Sequence, residues 1–146
     1  MKKYFVNLII SVLFITACNF NSTYLNEESE KEQAEKVISQ FHSEIVKKKF
    51  DDAETLFSKE FVKTTGSKKL LSVFLRTDSI LGNFNSSKLV DWKTQRVVGS
   101  NPSTHYLLVF ESKYKKFNAI ETFSLIREND TVKILGYNVN SDGFFK

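Results

Sequence analysis

The sequence predicts an α+β protein: three N-terminal helices packed on a strongly bent antiparallel sheet of about four strands, with a cone-like shape. Three observations carry this. Apolar residues recur at helical spacing between Ser29 and Leu81. Beyond Gly82 the period falls to two, in segments rich in β-branched and aromatic residues. The links between those later segments are short, which joins neighbouring strands antiparallel and leaves the helices on one face of the sheet.

The chain begins Met1-Lys2-Lys3, continues through Phe5, Val6, Leu8, Ile9, Ile10, Val12 and Leu13, and reaches Ile15-Thr16-Ala17-Cys18. Two positive charges, a short apolar run and small residues are the three regions of a secretory signal, and the run is too short to span a bilayer. Residues 1–17 are therefore expected to be a cleaved signal peptide. Cys18 is the chain's only cysteine. It follows Ile15, Thr16 and Ala17 in an arrangement that resembles the bacterial lipobox, where the thiol is diacylated before cleavage. An incidental thiol is the alternative. A lone cysteine cannot form an internal disulfide in an exported chain, which favours acylation. Each buried methylene contributes roughly 0.8 kcal/mol, so two or three acyl chains make a lasting membrane anchor. Asn19 is not the aspartate associated with inner-membrane retention, which points to the outer membrane where two membranes exist.

Cleavage leaves 129 residues, the size of one domain. The signal holds two of the 21 basic residues and no acid, so 19 bases face 17 acids and the balance is only +2. Such a field does not attract nucleic acid, which is excluded as a partner. Residues 18–28 read as the lipidated terminus and a polar, flexible tether, and the domain as 29–146. Asn21-Ser22-Thr23 and Asn85-Ser86-Ser87 match a glycosylation sequon but are assigned no role.

Ser29 and Glu32 have capping-box spacing, so the first helix is expected to start there. Ala34, Val37, Ile38, Phe41 and Ile45 form its apolar stripe, and it ends near Lys47-Lys48-Lys49. Those lysines suit the negative end of the helix dipole; a phosphate or headgroup site is the less favoured reading. Asp51 and Glu54 open a second helix carrying Ala53, Leu56, Phe57 and Phe61. Ser67 is expected to cap a third, with Leu70, Leu71, Phe74 and Leu81 on one side and Gly82 as its stop. Lys88–Val98, His105–Lys115, Phe117–Arg127 and Thr131–Asn140 are the four expected strands, separated by Gly99–Pro102, a break near Lys115-Lys116, and Glu128-Asn129-Asp130.

This order of elements resembles the nuclear transport factor 2-like superfamily, the cystatin-like cone shared with ketosteroid isomerase. Phe50-Asp51-Asp52-Ala53, the helix ending at Gly82, Leu89-Val90-Asp91-Trp92-Lys93 and Lys133-Ile134-Leu135-Gly136-Tyr137-Asn138 resemble an uncharacterised exported lipoprotein family within it. The resemblance implies the fold. It assigns no activity.

Strand alternation places Tyr106, Leu108, Phe110 and Tyr114 on one side, and Val90 with Trp92 on one side of their strand. A cone of this class can enclose a small apolar ligand, so Trp92, Tyr106, Phe110 and Tyr137 are the candidate cavity residues, Trp92 and Tyr137 being suited to orient it. Plain core packing is the competing assignment for each. His42 and His105 belong to no recognisable triad or metal set and read as surface or boundary residues. Proton transfer of the steroid-isomerase type would need a carboxylate among Asp91, Glu111 and Glu121, with Tyr106 or Tyr137 as donor. No catalytic motif supports it, and the chain is read as a non-enzyme with no cofactor implied. Two functions remain: a membrane-tethered domain binding a small apolar or amphipathic molecule, or an envelope interaction module that docks a protein or a second copy of itself through an exposed sheet face. The terminal Phe144 and Phe145 either pack back or meet a partner, and packing back is favoured.

Overall fold

A computed structural model of the chain describes residues 21–146. The expected signal peptide and Cys18 lie outside the described residues. The described residues form an α+β domain, with four α-helices and one open, antiparallel five-stranded sheet in the order β1-β2-β3-β4-β5.

Strand β1 (Ser22–Leu25) lies in the stretch expected to be a tether. It pairs with the last residues of β2 (Phe84–Val98), from Ser22 opposite Val98 to Leu25 opposite Gln95. An edge strand as long as β2 exposes a row of free donors and acceptors, and Ser22-Thr23-Tyr24-Leu25 has the composition to satisfy them.

Helix α1 (Glu28–Val46) follows at once. The expected Ser29/Glu32 box does not form, and Glu27 is the N-cap with no side-chain capping bond. A longer-range attachment replaces it. The backbone N–H of Glu27 donates to Thr94 Oγ1 at 3.1 Å, and its carboxylate accepts from Arg96 Nε at 2.6 Å and Nη2 at 3.2 Å. Such a bidentate pair outcompetes a local serine cap. The stripe Ala34, Ile38, Phe41 and Ile45 is buried as expected.

The expected second helix is two: α2 (Phe50–Glu54) and α3 (Lys59–Thr65). The break between them touches the sheet. Ile134 N–H donates to the Leu56 carbonyl at 2.9 Å, and Ser58 N–H donates to the Ile134 carbonyl at 2.8 Å. Backbone groups on the free edge of β5 (Thr131–Asn140) thus find partners, which a continuous helix would not supply. Ser58 Oγ then caps α3 by accepting from Phe61 N–H at 3.1 Å.

Helix α4 (Ser67–Leu81) stops where expected, but it starts one residue early, at the expected cap: its N-cap is Gly66, and Ser67 instead donates to Glu54 Oε1 at 2.8 Å. Gly82 ends it with φ of 80°, a region open mainly to glycine. The loop between β3 (Ser103–Tyr114) and β4 (Asn118–Glu128) covers this end: Lys116 N–H donates to the Leu81 carbonyl at 2.8 Å. Asn129 and Asp130, with φ of 46° and 62°, form the two-residue turn from β4 to β5. Register shifts at Phe84/Ser86 and Leu89/Asp91 interrupt the long β2 strand, and such bulges bend a sheet.

The core lies between the helices and one sheet face. Phe41 sits near its centre, with ring centroids of Phe57, Phe74, Phe123 and Tyr137 at 5.2–6.0 Å. Leu108, Phe110, Leu125 and Ile134 complete the sheet side. A smaller cluster at the far end gathers Leu81, Tyr114 and Ala119 with Phe84, Phe117 and Phe144. Phe144 therefore packs back, whereas Phe145 remains 85% exposed.

Candidate functional site

Alternation along β4 directs Ala119, Glu121, Phe123 and Leu125 into the interior, which puts a carboxylate on a face otherwise apolar. Glu121 is 0% exposed. An isolated buried charge would cost several kcal/mol or take up a proton, so its partners determine what it can do. There are four. His42 Nε2 lies 2.9 Å from Oε2, Ser112 Oγ–H donates to the same oxygen, and the Tyr114 and Tyr137 hydroxyls donate to Oε1 at 2.9 Å and 2.6 Å.

The fold brings these four donors together from three elements. His42 comes from α1, Ser112 and Tyr114 from alternate inward positions of β3, and Tyr137 from β5, where Phe123 pairs with Tyr137 across the ladder. Burial pushes the Glu121 carboxyl up, but the hydrogen bond and charge of His42, with the Ser112 and Tyr137 hydroxyls, outweigh it and hold the group below its ordinary value. Burial and then the Glu121 charge push the Tyr114 and Tyr137 phenols upward. The arrangement is an ionised carboxylate in a cage of donors.

His42 corrects the expectation of a surface or boundary residue, being only 5% exposed. It is one turn beyond Ile38 and adjacent to Phe41, so its ring enters the core beside the apolar stripe. Spacing alone showed that proximity, but the acid that receives its N–H lies 79 residues away. Phe84 stacks on the imidazole at 4.2 Å and 14°, with Phe110 edge-on at 6.1 Å. Together these rings floor a pocket of about 520 Å³ between α1 and the start of β2, rimmed by Glu35, Ser39, Ser43 and Asn85.

The four candidate cavity residues do not enclose one space. Phe110 lines the pocket beside His42. Tyr137 stacks on Phe123 at 4.9 Å, its hydroxyl bound to Glu121. Tyr106 belongs to a second polar cluster, where its hydroxyl donates to Glu30 Oε2 at 2.7 Å and accepts from Arg127 Nη2 at 2.8 Å. Arg127 Nη2 also approaches Glu30 Oε2 at 2.6 Å. Trp92 is half-buried, with Lys31 Nζ 5.3 Å from its ring centre. Among the proton-transfer candidates, Asp91 and Glu111 are exposed while Glu121 and Tyr137 do meet. His105 is exposed on β3.

Comparison with protein-family models, curated proteins and solved structures finds no match. Chemistry must therefore be read from the side chains. Among the described residues, no three His, Cys, Asp or Glu side chains gather in a metal-binding arrangement. No described helix is long and apolar enough to cross a membrane. Sequence reasoning included Glu121 among the acids and missed Glu30, Arg127 and Arg96; inward alternation of a carboxylate on β4 was the available signal for the first, and no local pattern signalled the others.

Proposed function

We propose that this chain is a bacterial envelope lipoprotein, lipidated at Cys18, whose domain is of the nuclear transport factor 2-like type and binds a small apolar or amphipathic molecule without transforming it. The observation that carries the reading is the pocket floored by His42, Phe84 and Phe110. Its volume of about 520 Å³ falls in the range of small-molecule sites, and its aromatic floor with a polar rim suits an amphipathic guest. Side chains fill the interior around Phe41, so the reading places the ligand at this mouth of the cone. The donor cage favours binding over catalysis. Glu121 accepts bonds from four protein donors, which leaves it poorly placed as a proton acceptor for a guest.

Native mass spectrometry of the processed chain, purified from its host envelope, tests this. An added mass of defined value is expected on the wild type and should be lost in Ser39→Trp, which fills the pocket from its rim. A wild-type chain that carries only its lipid, and gains no mass on incubation with envelope extract, would overturn the binding reading. The second reading is a docking module. It draws on the outer sheet face, where Val90, Leu107 and Ile120 are exposed large apolar residues, and it predicts a dimer or a defined partner in the same spectra.

A further inference from the structure

The arm preceding α1 is fastened to the sheet almost residue by residue. Asn21 Oδ1 accepts from the Ser100 N–H at 3.0 Å, β1 pairs with β2, Asn26 N–H donates to the Thr94 carbonyl at 2.9 Å, and Glu27 grips Arg96. Cys18 is three residues before Asn21, and three extended residues span about 10 Å at most. The corner of the sheet formed by β1 and the turn from β2 to β3 is therefore the part of the domain closest to any anchor at Cys18.

That corner has an unusual composition. In a chain of which 26% is charged, neither Asn21–Asn26 nor Val97–Thr104 contains an acid or a base. Leu25, Tyr24 and Val98 are 64%, 44% and 42% exposed there, and Arg96 lies over the Tyr24 ring at 4.7 Å. Uncharged backbone turns, exposed aliphatic groups and an aromatic ring beside an arginine suit the headgroup layer, which accepts amphipathic rings and the stems of long cations.

We propose that this corner, β1 with the Gly99–Pro102 turn, rests on the lipid bilayer, so that the short anchor orients the domain as well as retaining it. The inference rests on acylation at Cys18. Phe84 begins β2 and Val98 ends it, so the pocket beside His42 lies toward the opposite end of the strand and opens away from the membrane. A ligand would then arrive from the aqueous phase.

The test uses the full chain purified from membranes, with the lipid on Cys18 verified by mass, reconstituted into phosphatidylcholine/phosphatidylglycerol vesicles containing headgroup spin-labelled lipid. A fluorophore is attached through Ser100→Cys in one protein and through Lys113→Cys, at the opposite end of the sheet, in another. Quenching at position 100 is expected to exceed that at 113 severalfold. Equal quenching at the two positions, on protein whose Cys18 carries lipid, would overturn the orientation alone. Cys18 found without lipid would overturn both the orientation and the anchoring on which it rests.

Discussion

The imidazole Nε2 of His42 on α1 lies 2.9 Å from Oε2 of Glu121 on β4, joining the longest of the described helices to the sheet through two buried side chains. With the contacts of Glu30 to Tyr106 and Arg127, it adds directional bonds to layers that otherwise meet through apolar packing. A hydrogen bond specifies one helix position where hydrophobic contact tolerates several.

Removing the acid should be severe. Glu121→Ala leaves His42, Ser112, Tyr114 and Tyr137 without their acceptor, and breaking such a buried cluster costs about 3–5 kcal/mol. Urea unfolding followed by circular dichroism measures it. A loss no larger than that of a surface substitution would mean that the cage is not structural.

The same carboxylate sets a pH dependence. Its folded pKa lies below the ordinary carboxyl value of 4.5, so it stabilises the fold above that value and the contribution is lost as pH falls through the folded pKa. Stability should therefore decline below about pH 4.5, and Glu121→Gln should flatten that decline while lowering stability at neutral pH. Unfolding midpoints measured from pH 7 downward in both proteins provide the check.

At alkaline pH the sign is opposite in location but equal in consequence. The Tyr106, Tyr114 and Tyr137 phenols are all raised, first by burial, so their stabilising effect is complete below the unfolded value of 10.0 and is lost as pH rises above it. Phenolate absorbance at 295 nm should show these three tyrosines ionising together with unfolding. Their ionisation in a chain that keeps its far-ultraviolet dichroism would contradict the burial.

Phe41→Ala should cost about 3–5 kcal/mol, because four aromatic neighbours surround the ring and cannot all close on the space left. Leu107→Ala, on the exposed outer face, should stay within about 0.5 kcal/mol. Thermal or urea unfolding of the pair separates the core face from the outer one.

Gly82→Ala tests the helix stop. Its φ of 80° is strained for alanine, by about 1–3 kcal/mol, and the new Cβ would meet Lys115 Cβ at 3.1 Å. Gly66 has a similar φ of 84° but open space around the added carbon, so Gly66→Ala should be the milder change in a urea titration.

Local chemistry was sufficient for several elements. The end of α4 at Leu81 and the bounds of β5, Thr131–Asn140, follow from an apolar period ended by glycine and from a strand opened by an Asn-Asp turn. The inward set Tyr106, Leu108, Phe110 and Tyr114 follows from alternation, since period two admits only two faces. Cap choice was not legible in the same way. Ser29 and Glu32 fit a capping box, yet the helix begins at Glu28 because Glu27 finds Arg96 across the sheet. Strand β1 was hidden for a related reason: Ser22–Leu25 is short and polar, and only a free stretch of β2 beside it makes a strand of it.

The site divides along the same line. The lipobox-like approach to Cys18 was legible as an expectation, because that signal resides in contiguous residues. So was the change from helical to strand periodicity, which established an α+β fold. The meeting of His42 with Glu121, of Tyr106 with Glu30 and Arg127, and the division of the second helix were decided by the tertiary structure alone. Each depends on groups brought together from distant positions, where a buried polar atom is stable only if the fold supplies its partner, and local pattern carries no record of which distant donor will arrive.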